Sequence, residues 1–207
     1  RVELDPDIAA GWPGVRQVFA AVASPRVRNA ATVGGVLGDA DYASDPPAML
    51  VALGAWVEAL SVRGLRRIPV ADLILGHYQT SLEEDELITR VLVPRGRHHV
   101  TYRKLRTRSR EDRPCVSVAA SLHEGGVTVV VGAVAERPQF FPDLCATWKP
   151  GDSASAREIA AGYADRIDPI SDSRGSAAYR TRMIAVEVRR ALDTLAPAAL
   201  TPQAAGR

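Results

Sequence analysis

The chain has 207 residues, of which 46% are hydrophobic and 24% are charged, a composition typical of a globular protein with an apolar core. Its formal net charge of +2 is too small for the broad basic surface of a nucleic-acid-binding protein. No apolar run is long enough to cross a bilayer, and residues 1–7 lack the apolar stretch of a signal peptide. The length allows one large domain or two small ones.

The first half of the chain predicts short helices followed by strands. Apolar residues recur at helical spacing over 14–23, and Pro46 suits the first position of a second apolar helix over 46–53. Residues rich in β-branched and apolar types then predict strands, which are bounded by turn residues. The strand candidates are 55–62, 66–70 and 87–93. The apolar strand pattern gives way to a short run of arginine, glycine and histidine at 95–99, so we predict a domain boundary there and two domains, 1–95 and 96–207.

A glycine-rich stretch, residues 28–47, connects the two predicted helices. Gly34 and Gly35 are adjacent and follow Thr32, so their backbone is free to take positive φ values and to present N–H groups to a pyrophosphate, with the Thr32 hydroxyl as a further donor. The alternative is an ordinary turn, since short glycine motifs are often false positives. Asp45 near its end has two possible roles, capping the next helix or accepting a hydrogen bond from a bound hydroxyl.

The second half of the chain predicts an antiparallel sheet. Gly125 and Gly126 mark a hairpin between two of its strands, and small and apolar residues alternate along residues 116–122. We therefore expect one face of this sheet to be covered. The strand candidates are 100–105, 116–123 and 127–135.

Two helices, at 155–167 and 175–195, are predicted to cover that face. The second helix has an apolar stripe that includes Val188, while Arg180 is expected to face elsewhere. The tail from Ala196 to Arg207 is rich in proline and small residues, and we expect it to be frayed. This order of elements predicts an α+β fold.

Cysteine usage indicates a reduced compartment. Cys115 and Cys145 lie far apart and form no Cys-x-x-Cys pair, so we expect a cytoplasmic protein. Two thiols fall short of the four that an iron–sulfur cluster usually takes. The histidines lack metal-ligand spacing with a cysteine or carboxylate, and we predict no metal site.

Residues 102–113 are rich in arginine and include Lys104, one of two lysines in the chain. Charge runs are usually solvated surface, so the simplest interpretation is an exposed charged hairpin. A more specific hypothesis is cationic support for an anionic ligand such as a reduced flavin, whose potential a nearby cation raises.

Several motifs occur in a fixed order over nearly the whole chain. They are SPRVRNAATVGG (24–35), ASD (43–45), YQTSL (78–82), LITRVLVP (87–94), YRKL (102–105) and GSAAYR (175–180). Together they resemble the FAD-carrying medium subunit of the molybdenum hydroxylases, the family of carbon monoxide dehydrogenase, xanthine dehydrogenase and bacterial aromatic hydroxylases. The resemblance implies that residues 1–95 form the second lobe of an FAD-binding domain. Residues 96–207 would form its C-terminal domain, a three-stranded antiparallel sheet packed with helices.

The resemblance also implies roles for individual residues. The second FAD motif, near the diphosphate and ribityl region, corresponds to Thr32, Val33, Gly34 and Gly35. Asp45 matches an acidic FAD contact, and Ile88 matches an apolar contact with the adenine or the ring system. Lys104 matches a lysine near the flavin, and Arg108 a basic neighbour of it. No side chain is expected to act as a general acid or base, because the flavin carries the redox chemistry.

The implied function is that of an oxidoreductase subunit. Its partners would be a molybdopterin-binding large subunit and an iron–sulfur small subunit, with electrons passing from the iron–sulfur clusters through FAD to quinone, NAD or oxygen. No nucleic acid and no membrane span are expected.

Two departures from the family pattern leave an alternative open. Val36 stands where family members usually have Asn after the glycine pair, and the sequence starts after the lobe that carries the family's first glycine-rich motif, Ala-Gly-Gly-Thr. Either a separate chain supplies that lobe, or it was lost in processing, or the chain is a non-catalytic docking module of the same fold that no longer binds FAD tightly.

Overall fold

A computed structural model describes residues 1–95, 99–109 and 111–200 of the chain. After a short 3-10 turn at Val2–Leu4, the helices are α1 (Pro6–Gly11), α2 (Pro13–Ala21), α3 (Pro25–Ala30), α4 (Val33–Asp39), α5 (Pro46–Ala52), α6 (Val70–Leu73), α7 (Pro142–Cys145), α8 (Ser153–Arg166) and α9 (Ala177–Leu200). The strands are β1 (Trp56–Ser61), β2 (Gly64–Pro69), β3 (Ile74–Gly76), β4 (Gln79–Thr80), β5 (Leu87–Leu92), β6 (His99–Leu105), β7 (Val116–His123) and β8 (Gly126–Gly132). The α+β class predicted from the sequence is confirmed.

Proline at the first position starts several of these helices, because its fixed φ suits that position and its missing N–H would have no helical partner there. The strands form an antiparallel sheet in the order β2-β1-β5, a β3-β4 pair, and a second antiparallel sheet in the order β6-β7-β8. The second sheet confirms the three-stranded antiparallel sheet expected in the second half. In the described part of the chain no helix is long and apolar enough to cross a membrane.

One face of the β6-β7-β8 sheet packs against α8 and α9, as predicted. Val116 and Val118 of β7 share an apolar cluster with Ile159 of α8 and Val188 of α9, and all four are at most 1% exposed. Tyr163 of α8 donates a hydrogen bond from its hydroxyl to the carbonyl of Val129 on β8 (2.6 Å). Both helices therefore lie on the same face of the sheet.

The opposite face of this sheet is also covered, which the sequence analysis did not predict. Ala119 of β7 is fully buried, in one cluster with residues of α2, α5 and β1. Ser121 donates a hydrogen bond from its hydroxyl to the carbonyl of Ala52 at the end of α5 (2.6 Å). At Gly132 of β8, an added Cβ would lie 3.2 Å from the Cβ of Ala48. The small side chains on this face of β7 thus allow α5 to pack closely, rather than marking a solvent-exposed face.

The C-terminal helix differs from the prediction in two respects. It extends to Leu200, so residues 196–200 are helical and not frayed, while 201–207 lie outside the described residues. Arg180 is fully buried, although it was expected to face away from the core. The Nε–H of Arg180 donates to the carbonyl of Cys115 (3.0 Å), and Nη2 donates to Oδ1 of Asp172 (2.7 Å). These partners make burial of the guanidinium tolerable.

The predicted boundary near 95–99 falls largely on residues 96–98, which lie outside the described residues. The division into domains 1–95 and 96–207 stays a prediction.

Candidate functional site

The loop of residues 40–45, called here the 40–45 loop, connects α4 to α5. Ala40 takes a left-handed conformation (φ 49°), and its carbonyl accepts a hydrogen bond from the N–H of Tyr78 (3.0 Å). Oδ1 of Asp41 accepts from the N–H of Ala43 (2.9 Å), and its carbonyl accepts from the N–H of Ser44 (2.9 Å). This Asx-type turn places Asp45 at the start of α5.

The glycine pair lies in the first turn of helix α4 and not in a positive-φ turn, so the expected loop conformation is wrong. Thr32 is the N-cap of this helix, and its Oγ1 accepts a hydrogen bond from the N–H of Gly35 (2.9 Å). An added Cβ at Gly35 would lie 2.9 Å from that oxygen, and one at Gly34 would lie 3.4 Å from the carbonyl oxygen of Ile88. The absence of side chains here allows the helix start to lie close to Thr32 and to β5.

Three cavities surround the first turn of α4. The Thr32 cleft, about 480 Å³, is lined by Thr32, Gly35 and Asp45 among other residues. The Ile88 groove, about 290 Å³, is lined by Val33, Gly34 and Ile88 together with apolar residues of α2 and β5.

The third of these spaces, the Arg28 cavity, is about 600 Å³ and lies between the other two. Thr32 borders both this cavity and the Thr32 cleft, and Val33 borders both this cavity and the Ile88 groove. The three spaces are therefore neighbours and together make up the concave surface around α4, with charged and hydroxyl side chains in the Thr32 cleft and mostly apolar ones in the Ile88 groove.

Asp45 forms a buried cluster with two residues of β6. Its Oδ1 accepts a hydrogen bond from the hydroxyl of Tyr102, and its Oδ2 accepts from Nζ of Lys104 (2.8 Å). Lys104 also donates to the carbonyl of Ala21 at the end of α2 (2.9 Å). The side chain of Asp45 does not cap α5, so of the two roles considered from the sequence, capping is wrong.

Burial dominates the electrostatics of this cluster. Burial raises the pKa of Asp45 above its ordinary value, against the opposing effects of the Lys104 charge and of the hydrogen bonds from Lys104 and Tyr102. Burial likewise lowers the pKa of Lys104, against the attraction of Asp45. The pKa of Tyr102 is well above its ordinary value, because of burial and the neighbouring Asp45 charge. Tyr102 was not predicted as a site residue, although its spacing of two from Lys104 on a strand places both side chains on one face.

The arginine-rich stretch contributes one residue to the Thr32 cleft. Arg113 lines the cleft and forms an ion pair with the buried Asp41. Arg108 lies in a neighbouring cavity, where Nη2 donates to the carbonyl of Ser173 (3.3 Å). Arg110, also part of this stretch, lies outside the described residues.

A second charged cluster joins the 40–45 loop to the segment before α9. The hydroxyl of Tyr42 donates to Oδ2 of Asp172 (2.6 Å), and Nη1 of Arg174 donates both to the Tyr42 hydroxyl (3.0 Å) and to Asp172 (2.9 Å). Arg180 completes this Tyr42 cluster through its bond to Asp172. Burial acts to raise the pKa of Asp172, but hydrogen bonds from Tyr42 and the Arg174 backbone, together with the Arg180 charge, hold that pKa well below its usual range. No sequence signal indicated this cluster, since its members are up to 138 positions apart (180 − 42).

Among the described residues, no group of three or more histidines, cysteines and carboxylates could hold a metal ion. The concave surface around α4 is instead suited to an extended organic ligand with polar and apolar parts. The Thr32 cleft is lined by Thr32, by the carboxylates of Asp39, Asp41 and Asp45 and by Arg113, which is paired with Asp41, while the Ile88 groove is mostly apolar.

Comparisons with known proteins agree with this geometry. Residues 1–96 match the FAD binding domain in molybdopterin dehydrogenase, and residues 100–195 match the CO dehydrogenase flavoprotein C-terminal domain. The nicotine 6-hydroxylase medium subunit of Paenarthrobacter nicotinovorans is 34% identical over 194 residues, covering 90% of this chain and 68% of that protein. The carbon monoxide dehydrogenase medium chain of Afipia carboxidovorans is 32% identical over 199 residues, covering 90% and 67%.

Solved structures show the same relationship. Quinoline 2-oxidoreductase from Pseudomonas putida 86 superposes with a TM-score of 0.90 at 29% identity, covering 97% of this chain and 73% of that one. CO dehydrogenase from Oligotropha carboxidovorans superposes with a TM-score of 0.86 at 29% identity, covering 93% and 70%. The chain spans about two thirds of the length of the curated relatives named above.

Proposed function

Because the chain belongs to the FAD-binding medium subunits of the molybdenum hydroxylases, we propose that the concave surface around α4 is its contribution to the FAD site. FAD, the cofactor of this family, accepts electrons and passes them on when bound. The observation that supports the proposal is that the Thr32 cleft, the Arg28 cavity and the Ile88 groove adjoin one another through Thr32 and Val33. An extended dinucleotide needs adjoining spaces of this kind, polar in one part and apolar in another.

Different residues around α4 would contact different parts of FAD. Thr32 and Gly35 lie on the polar side, where backbone N–H groups and small side chains suit the diphosphate. Val33, Gly34 and Ile88 line the apolar side, which suits the adenine or the ring system.

Asp45 lines the Thr32 cleft, and Lys104 lies behind it, paired with its carboxylate. Lys104, whose side chain is 3% exposed, supplies a positive charge that little water screens. Such a fixed cation favours an anionic reduced ring and tunes the potential of a flavin bound beside it.

The chain's role within a complex follows from the same proposal. We infer that it associates with a molybdopterin-binding large subunit and an iron–sulfur small subunit, and that electrons pass from the iron–sulfur clusters through FAD to an acceptor. Relatives named as medium subunits or medium chains support this role, since those names describe one component of a larger assembly.

A glycine substitution tests the site. Gly35→Val should raise the Kd for FAD at least about tenfold, because the new side chain displaces the Thr32 hydroxyl and fills part of the cleft. A tenfold rise corresponds to the loss of about one charge-assisted hydrogen bond to the ligand. The measurement is titration of FAD fluorescence with the full chain, alongside thermal unfolding to verify that the fold is intact.

Gly38→Val is the matched control, because Gly38 lies in the same helix and an added Cβ there meets no atom within 4 Å. Equal affinities for the wild type and Gly35→Val would count against the proposed site. A wild-type chain that does not bind FAD, alone or in its assembled complex, would instead support the docking-module alternative.

A further inference from the structure

We propose that Tyr42 and Asp172 are a positioning pair that fixes the wall of the Thr32 cleft from the second half of the chain. This inference rests on the proposed FAD site. It assigns a function to the Tyr42 cluster, whose members do not line that cleft.

The 40–45 loop has two sides with different contacts. Asp41, Ala43, Ser44 and Asp45 line the Thr32 cleft. Tyr42, in the middle of the same loop, is bonded instead to Asp172 (2.6 Å) and Arg174 (3.0 Å), which belong to the segment before α9. The orientation of the cleft-lining residues therefore depends on a side chain that has no contact with the cleft.

The partner of Tyr42 is itself held rigidly. Asp172 accepts hydrogen bonds from the N–H of Arg174 (2.7 Å) and from Nη2 of Arg180 (2.7 Å), in addition to the Tyr42 hydroxyl. Arg180 is fully buried and also bonded to the carbonyl of Cys115 next to β7. Asp172 is thus connected to the core of the second half of the chain, and through Tyr42 it connects that core to the 40–45 loop.

The loop is also held by the Asp41–Arg113 ion pair, by the Tyr78 N–H on the Ala40 carbonyl and by the edge-to-face contact of the Tyr42 ring with His77, but towards the segment before α9 its hydrogen bonds come from the Tyr42 hydroxyl. Its internal bonds join Asp41 to Ala43 and Ser44, and the left-handed Ala40 at its start is a conformation that non-glycine residues adopt at a cost. Removing the Tyr42 hydroxyl should therefore let the loop sample other conformations. Such conformations would misplace Asp41 and Ser44 relative to a ligand in the cleft, and affinity falls in proportion to the population of the competent conformation.

Tyr42→Phe is the decisive variant, because it removes only the hydroxyl and leaves Asp172 paired with two arginines. Two quantities are measured on the full chain: the Kd for FAD, and the hydrogen-exchange rates of the Ala43 and Ser44 amides without FAD. We expect the Kd to rise about tenfold, equivalent to about 1.4 kcal/mol, and both amides to exchange faster.

Tyr163→Phe is the matched control. The Tyr163 hydroxyl also makes more than one hydrogen bond, to the carbonyl of Val129 (2.6 Å) and from the N–H of Phe141 (3.1 Å), but it lies in the core on the α8–α9 face, away from the cleft. A purely structural role for Tyr42 predicts that both variants lower stability and that neither changes the Kd or the two exchange rates.

Asp172→Asn combined with Tyr42→Phe gives a second test. If the two residues act as one unit, the double variant binds FAD no more weakly than the weaker single variant. Additive losses would overturn the pairing. Unchanged Ala43 and Ser44 exchange in Tyr42→Phe would overturn the proposal whether or not the chain binds FAD, whereas faster exchange in a chain without FAD affinity would support the pair and refute only the FAD site.

Discussion

Asp45 and Lys104 form a buried ion pair of which Asp45 lines the Thr32 cleft. The pair is 2.8 Å apart, and its side chains are 5% and 3% exposed. Burial raises the pKa of the acid and lowers that of the base, so desolvation exceeds the mutual attraction of the two charges. A buried pair of this kind is weak evidence for stability.

Replacing one member of this pair should give a pH-dependent loss of stability. Lys104→Met leaves Asp45 buried without its cation, which should cost about 3–5 kcal/mol at pH 8. The pKa of Asp45 in the folded state then lies further above its unfolded value of about 3.9. Between these two pKa values the folded state binds a proton that the unfolded state does not, so the relative stability of the variant increases as pH falls. The loss relative to the wild type should be smaller at pH 5 than at pH 8.

Urea unfolding at both pH values measures this difference. Lys149→Met is the control, because Lys149 is the other lysine of the chain and is exposed; it should change the free energy of unfolding by no more than about 0.5 kcal/mol. A loss for Lys104→Met that is equal at pH 5 and pH 8 would show that Asp45 does not titrate as described.

Among the secondary-structure elements, α9 and α4 differ in how strongly the sequence predicts them. The apolar stripe of α9 has the helical period over several turns, and the structure places Ile184, Val188 and Leu192 in the core as expected. α4 was missed because its sequence, VGGVLGD, contains three glycines, which are poor helix formers. It is stabilised instead by the Thr32 cap and by the packing of Gly34 against Ile88, and neither contact follows from local propensity.

The packing of α9 gives a prediction at this scale. Val188→Ala should lower the free energy of unfolding by about 1–3 kcal/mol, because the side chain is fully buried against the sheet and its loss leaves a cavity. Val62→Ala removes the same atoms from a residue that is 98% exposed and should have an effect near zero. The urea midpoints of both variants measure the difference, and similar midpoints would contradict the packing of α9 on β7.

For the molecule as a whole, the sequence did not predict how the candidate site residues are arranged. Thr32, Gly35 and Asp45 do share one cleft, but Val33 and Gly34 face the Ile88 groove on another side of α4. The contacts of Tyr42 with Asp172 and of α5 with β7 join distant parts of the chain. Neither a hydrophobic period nor a local motif carries information about such contacts, because the sequence around each contacting residue has no pattern that indicates its partner.

The contact between α5 and the second sheet leads to the last prediction, which concerns cooperativity. Residues 1–95 supply α2 and α5, which cover one face of the β6-β7-β8 sheet, so the apolar cluster of the first half is completed by Tyr102, Ala119 and Val130 of the second half. We therefore expect one two-state unfolding transition, with equal urea midpoints for Trp12 and Trp148 fluorescence when each is the only tryptophan of its variant.

Gly132→Ala should lower both midpoints by the same amount, because its Cβ would lie 2.7 Å from Ser117 Oγ at this interface and overpacking costs about 1–3 kcal/mol. Gly11→Ala, where an added Cβ meets no atom within 4 Å, should lower neither by that amount. Separate transitions for the two tryptophans, or a Gly132→Ala shift confined to Trp148, would show that the halves unfold independently.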